Sequence, residues 1–331
     1  MKQTLLSGIA PSGELTLDNY LGAVSNWVSR KDQYECFFPL VDLHAITVRR
    51  DPESFASRCR DFVALYLASG KDPDKSTLFI QSHVPEHCEI AWILQRHTQP
   101  GELSHMNPFK DKGGQNSGSV NAGLFSYPAL MAADIVLHKA NLVPVGEDQR
   151  QHLKLTRDVA RRFNGVYGPV FEFPEAFMPD SGARIMSLQD PSKKMSKSDT
   201  AKANVISLFD AADVIKRKIK RCVTDSGNEV VHREDQPGIS NLLNILSAIS
   251  GYTVKDLEDQ YRGRGYDRFK SDVANAVIAG LGPIQTRFAG IRSDELSLGG
   301  MLADGAISAL EKAQKTLKEL HSTLGFIPRP R

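Results

Sequence analysis

The sequence predicts an α/β protein, with a parallel-sheet first half followed by an all-helical second half. Three observations point that way. Short apolar runs alternate with amphipathic segments from Thr4 to Phe163. No convincing strand run follows about Asp199. Turn-forming or acidic residues sit directly after two of the apolar runs, where such sheets bind ligands at the carboxyl ends of their strands.

Thr4 to Ile9 is a buried-strand run that ends at Pro11-Ser12-Gly13, and a helix is expected from Asn19 to Arg30. Cys36 to Val41 is a second strand, with Pro39 an awkward member because it lacks an amide hydrogen. Between Pro52 and Ser69, Phe55, Cys59, Phe62, Val63 and Tyr66 recur at helical spacing, and Gly70 sits where a cap belongs. Strand Thr77–Ile80 and a helix from Glu86 follow, then a long loop over 110–123 rich in Gly, Ser, Asn and Lys. A helix (Tyr127 to Lys139), a strand (Leu142 to Val145) and a long helix (Glu147 to Phe163) complete the first half. Beyond it, 203–222, 238–250, 254–261, 267–280 and 301–324 carry helical patterning, separated by Gly, Pro and Asp.

The bulk numbers restrict the function. A chain of 331 residues suggests two domains. Its 41 basic and 39 acidic residues leave a net charge of +2, so the whole chain does not announce a nucleic-acid binder, although a local patch can. The apolar stretch at the N-terminus is too short for a signal peptide, and no stretch approaches the ~20 apolar residues of a membrane span. Cys36, Cys59, Cys88 and Cys222 form no Cys-x-x-Cys pair, which signals neither zinc nor an iron–sulfur cluster. Reduced thiols in a cytoplasmic protein are the expectation, with no membrane and no DNA as partner.

Three local patterns carry chemistry. Pro11 to Asn19 lies between the first strand and its helix, where free backbone N–H groups suit phosphate. Thr16 and Asn19, three apart, add side-chain donors on one face. A turn plus a helix cap accounts for the same residues. Gly146-Glu147-Asp148-Gln149 opens a helix directly after a strand, so a carboxylate there can take both hydroxyls of a ribose or simply complement the helix dipole. Lys193 to Asp199 packs three lysines and two serines onto the seam between the halves, suited to polyphosphate or to plain solvation.

Taken together, the three patterns resemble the signatures of class I aminoacyl-tRNA synthetases. Thr16-Leu17-Asp18-Asn19 stands where that class has its His-Ile-Gly-His-like motif, and Lys194-Met195-Ser196-Lys197-Ser198 is its lysine motif unchanged. Within the class, segments over most of the chain look like the bacterial tryptophan-specific branch. They include Val41–Thr47, Gly101–Ser104, Ala122–Pro128, Leu130–Ile135, Val143–Gln149, Lys218–Lys220, Val223–Asp225 and Pro237–Leu243. The resemblance implies a Rossmann-like catalytic domain over 1–198 and a helical tRNA-reading domain over 199–331, whose last helix can pack back on the first. It implies ATP, Mg²⁺ carried by the nucleotide, L-tryptophan, tRNA(Trp) and a homodimer.

The resemblance also assigns residues. Thr16 and Asn19 would face the α-phosphate, Asp148 the ribose, and Lys194, Lys197 and the loop residue Lys112 the departing pyrophosphate. Ile185 and Met195 would line the adenine, with Ala10, Ser12 and Gly146 completing the ATP site. Tyr127 and Gln149 would hold the substrate ammonium, and Leu6, Gly8, Val41, His44, Met131, Val143 and Val145 would form the pocket. The residue physics agrees at Asp134, on an otherwise apolar helix face beside Leu130, Met131 and Ile135. A carboxylate there is costly unless it meets a donor, and indole has one N–H that only donates. A basic neighbour or solvent would satisfy it too.

Three positions depart from the family pattern. Asp18 replaces a glycine against which adenine lies, Ala10 replaces a glutamine, and Leu6 replaces an aromatic residue beside the indole pocket. A tyrosine-specific relative, a non-catalytic paralogue and a generic nucleotide-binding α/β protein are the competing readings.

Overall fold

The computed structural model describes residues 2–21, 33–106, 121–146, 149–177, 184–197, 199 and 201–328. Strand β1 (Thr4–Leu6) is wholly buried, as a parallel strand covered on both faces must be. After it, Thr16 leads into a short helix, α1 (Leu17–Asn19), which starts ahead of the expected Asn19. From residue 22 onward that expected helix lies outside the described residues.

Strand β2 (Glu35–Leu40) keeps Pro39 because of where β1 stops. In the register Leu6↔Phe37, the hydrogen that Pro39 lacks would face Ser7, one residue past β1. Its carbonyl still accepts the Ile9 N–H at 3.1 Å. Helix α2 (Asp42–Ala45) follows, then α3 (Pro52–Ala68), which Asp51 caps by accepting the Ser54 N–H and Gly70 terminates at φ +96°. Strand β3 (Ser76–Ile80) runs into a single 3₁₀ turn at Gln81–His83, α4 (Glu86–Gln95) and α5 (Pro100–Ser104).

Helix α6 (Ala122–Leu137) begins five residues before the expected Tyr127. Asn121 is the reason: its side chain accepts the Leu124 N–H at 2.8 Å and donates to the Thr47 carbonyl at 2.9 Å. Strand β4 (Leu142–Pro144), α7 (Arg150–Tyr167) and β5 (Glu175–Phe177) complete the sheet. The short, exposed β5 carries no apolar run, which is why the sequence does not announce it.

The five described strands pair in parallel in the order β3-β2-β1-β4-β5. The order reverses between β1 and β4, so the segments after these two strands face one crevice. Both lead into sequence motifs, 11–19 and 146–149.

The second half holds α8 (Ala212–Lys220), α9 (Pro237–Ser250), α10 (Val254–Tyr261), α11 (Gly265–Ser293) and α12 (Glu295–Leu324). The first is shorter than the 203–222 pattern, because the stretch after Ala201 runs as turns and pairs with the first motif. The last two are longer than their patterns, α11 continuing through Pro283 and α12 starting on its Asp294 cap. One core joins the sheet residues Leu5, Phe38 and Leu40 to Ile206, Ile219, Leu242 and Val273. The opposite face packs Phe37 and Phe79 with Ala309, Ala313, Leu317 and Leu320 of α12. Gly305 admits that approach, since a Cβ there would lie 1.9 Å from the Leu78 carbonyl oxygen. Among the described residues no helix is long and apolar enough to cross a membrane.

Candidate active site

The crevice is lined on one side by an apolar cluster with a polar floor. Leu6, Val143 and Val145 are buried in a single cluster, with Met131 half-buried against it. Gly8 lets the chain after β1 close on Val41, whose Cγ1 would stand 2.9 Å from an added Cβ.

On α6, one turn beyond Met131, Asp134 is 3% exposed. Its Oδ2 lies 2.7 Å from His44 Nε2, and its Oδ1 accepts the Gln81 amide at 2.6 Å and faces His87 Nδ1 at 2.7 Å. Burial alone would raise this carboxyl, but His44 and His87 outweigh it and hold the group well below the usual carboxylate range. A carboxylate has about four acceptor sites, and the hydrogen bonds with His44 and Gln81, beside the neighbouring His87 ring, leave capacity for a further N–H. Behind His87, His138 Nε2 stands 3.4 Å from His87 Nε2, and burial pushes the His138 imidazole well below its usual value.

The polar rim continues outward. The His44 ring meets Tyr127 edge-on, and the Tyr127 hydroxyl lies 2.7 Å from His152 Nε2. Gln149 is exposed at the start of α7, where its N–H reaches the Gly146 carbonyl. Asp148 and Lys112 lie outside the described residues.

The other side of the crevice is built from the first motif and the lysine motif. Ile185 to Met195 folds back on itself: Met195 N–H donates to Ile185 at 3.0 Å, Ser187 N–H to Lys193 at 2.8 Å, and Met186 pairs with Lys194. Ile185 and Met195 bury their side chains almost completely. Asn241 of α9 holds this hairpin from the helical half, accepting the Met186 N–H at 2.8 Å and donating to its carbonyl at 2.9 Å.

From the sheet side, Gly13 (φ +70°) packs so tightly that a Cβ would lie 2.1 Å from the Lys197 carbonyl oxygen. Lys197 Nζ donates to the Ala10 carbonyl at 3.1 Å, and burial lowers its ammonium to about 8. Ser12 is half-buried beside it, its N–H also on Ala10. Thr16 is buried, its hydroxyl donating to Asn19 Oδ1 at 3.1 Å, so the half-buried Asn19 is the more outward of the two. Lys194 stays over half exposed, its Nζ 3.1 Å from Asp18.

A cavity of about 670 Å³ opens behind this side, lined by Gly13, Thr16, Arg58, Phe62, Lys197 and Asp210 among others. It borders the lysine motif and touches none of the residues around Asp134.

Sequence reasoning did not single out Gln81, His87, His152 and Asn241, which the structure brings to Asp134, Tyr127 and the hairpin. Gln81 had a signal in its place at the carboxyl end of β3. Asn241 falls inside the family-like segment Pro237–Leu243, whereas His87 and His152 sit on helices with nothing local to mark them. The basic segment 216–221 is partly spoken for, since Lys218 pairs with Asp210 at 2.6 Å and Ile219 is buried.

A parallel sheet with its switch-point crevice between a buried carboxylate floor and a lysine-rich hairpin defines a nucleotide-dependent ligase of the class I synthetase type. The family model for class I tRNA synthetases of the tryptophan and tyrosine type matches residues 1–282, and the chain belongs to that family. Among solved structures it is similar to the tryptophanyl-tRNA synthetase of Mycoplasma pneumoniae, with 35% identity, a TM-score of 0.89 and 98% of each chain covered. It is also similar to that of Campylobacter jejuni complexed with ADP and tryptophan, with 32% identity, a TM-score of 0.84, and 98% of this chain and 100% of that one covered. The tyrosyl-tRNA synthetase of Archaeoglobus fulgidus, at 20% identity and a TM-score of 0.69 over 87% of this chain and 90% of that one, shares the fold.

Proposed function

We propose that the chain activates L-tryptophan with ATP to tryptophanyl-adenylate and pyrophosphate, then transfers tryptophan to tRNA(Trp). One observation carries the choice of amino acid. Asp134 is buried on α6, one turn beyond the half-buried Met131, with its carboxylate ionised, hydrogen bonds to His44 and Gln81 in place and acceptor capacity left for a further N–H. An indole buries its rings against Leu6, Met131, Val143 and Val145 while its single N–H takes that last site. A site built to meet a polar partner rejects analogues lacking it by ~10⁴–10⁵, because its own buried polar group is then left unpaired.

In the activation step, a carboxylate oxygen of tryptophan attacks the α-phosphorus. The bond to the bridging oxygen breaks, and pyrophosphate departs with the electron pair. No covalent catalyst is needed; the protein positions groups and stabilises charge. Tyr127 and Gln149 orient the substrate ammonium, and Asn19, braced by Thr16, faces the α-phosphate. Lys197 and Lys194 take the charge growing on pyrophosphate, with Lys112 in the same role and Asp148 on the ribose. Ala10, Ser12, Gly146 and the Ile185–Met195 backbone border the nucleotide.

Mg²⁺ supplies charge neutralisation on the phosphates. We place the boundary between the ATP and tryptophan domain and the tRNA-reading helical domain at 198/199. A homodimer through the α/β half is supported by exposed Trp92, Val166 and Tyr167 on α4 and α7, and the protein works in the cytoplasm.

The test is tryptophan-dependent ATP–pyrophosphate exchange, with tyrosine and no amino acid as controls. Exchange with tryptophan alone is expected; exchange with tyrosine instead would overturn the assignment of the pocket.

A further inference from the structure

Asp18 is the buried acidic residue of the first motif, 3% exposed. One carboxylate oxygen accepts the Ile185 N–H at 3.1 Å, and the other meets Lys194 Nζ at 3.1 Å. Ile185 and Lys194 lie on opposite arms of the lysine-motif hairpin, so one side chain staples both arms to the first motif.

The two ends of the ion pair differ in mobility. The Asp18 side chain is 3% exposed and anchored by a backbone donor, whereas the Lys194 side chain is 55% exposed on a flexible four-carbon stem. The ammonium is therefore the end that moves. We propose that Asp18 is a positioning residue that holds Lys194 in reserve, so that the ATP phosphates must draw the ammonium away from it and Asp18 thereby sets ATP affinity. This rests on the reading that Lys194 meets the phosphates.

The physical basis is the state left behind. Once Lys194 swings to a phosphate, Asp18 remains buried with one backbone donor and the more distant charge of Arg184. Losing one partner of a pair leaves a buried charge uncompensated, and that penalty is subtracted from ATP binding. A residue without a carboxylate would impose no such penalty. Burial already raises the Asp18 carboxyl above its usual value despite Lys194, so the group is poorly solvated even while paired.

The test uses the full-length protein in tryptophan-dependent exchange, reading KM for ATP, KM for tryptophan and kcat separately. D18N keeps an acceptor for the Ile185 N–H and removes the charge. It should lower KM for ATP by about two- to fivefold, the scale of a partly exposed ion pair, and leave KM for tryptophan unchanged. D18G should do the same if D18N folds poorly, and thermal unfolding identifies a variant that has not folded. K194A must raise KM for ATP. If it does not, the phosphate role of Lys194 fails and the proposal with it. If K194A raises KM for ATP but D18N and D18G leave it unchanged or raise it, Asp18 is a structural staple only and the proposal alone is overturned.

Discussion

The Lys197 ammonium donates to the carbonyl oxygen of Ala10 at 3.1 Å, the same oxygen that receives the Ser12 N–H at 2.8 Å. Burial alone sets the position of this ammonium near 8. An unfolded lysine titrates near 10.5, so between about 8 and 10.5 the unfolded chain binds more protons than the folded one. The folding penalty is thus complete at neutral pH and fades as pH rises through that window.

Lys197→Met should therefore raise stability at pH 7, by up to ~3 kcal/mol before the lost hydrogen bond to Ala10 is set against it, a gain that shrinks toward pH 10.5. The same change should slow adenylate formation by ~10²–10³ with tryptophan affinity nearly intact. Denaturant titrations at two pH values and single-turnover activation read the two effects; an unchanged rate would remove Lys197 from the mechanism.

Asp134 serves both stability and recognition. Asp134→Ala should cost about 3–5 kcal/mol, because it leaves the buried Gln81 amide without its acceptor and removes the charge facing His44 and His87. Asp134→Asn is the gentler probe and should abolish measurable tryptophan binding in calorimetry while near-ultraviolet dichroism stays native. Retained binding would show that the indole N–H goes elsewhere. Because the folded carboxyl sits well below its unfolded value near 3.8, its stabilisation is present above that value and lost as pH falls further. Acid unfolding of the wild type should accordingly be steeper than that of the Asn variant.

Gly13 has both a left-handed backbone and a neighbour too close for a Cβ, 2.1 Å from the Lys197 carbonyl. Gly13→Ala must push the lysine motif away from the first motif. Misplacement by about 1 Å can cost ~10²-fold in rate, so activation should slow on that scale while tryptophan affinity holds. Stopped-flow activation rates beside equilibrium tryptophan titration decide it, and parallel losses in both would point to general unfolding.

Asn241 bonds both polar groups of the Met186 backbone across the seam between the halves. Asn241→Leu fills the space and leaves an amide and a carbonyl unpaired, at about 1–3 kcal/mol. KM for ATP should rise more than KM for tryptophan, since the hairpin is held from this side. Equal rises in both would mean that Asn241 supports the whole fold rather than the hairpin.

Much of the fold is legible in local sequence. The strand at Ser76–Ile80 and the helices at Pro52–Ala68 and Val254–Tyr261 follow from apolar period and local caps, which neighbours in sequence decide. The pattern starts helix α6 too late because Asn121, inside a Gly- and Ser-rich stretch, reads as loop until its side chain is seen closing on Leu124 and Thr47. Strand β5 has no buried face of its own and exists because β4 offers it an edge.

The sequence by itself determined the alternation of strands and helices, the lysine motif, and the demand of a carboxylate on an apolar helix for a donor. These are properties of residues within a few positions of one another. Only the tertiary structure decided which groups answer that demand and what Asp18 does. Gln81 reaches Asp134 across 53 positions, and Ile185 reaches Asp18 across 167. Partners that distant meet only because the parallel sheet gathers the ends of its strands at one crevice. Burial then obliges each polar group gathered there to find a partner among whatever the fold has brought within reach.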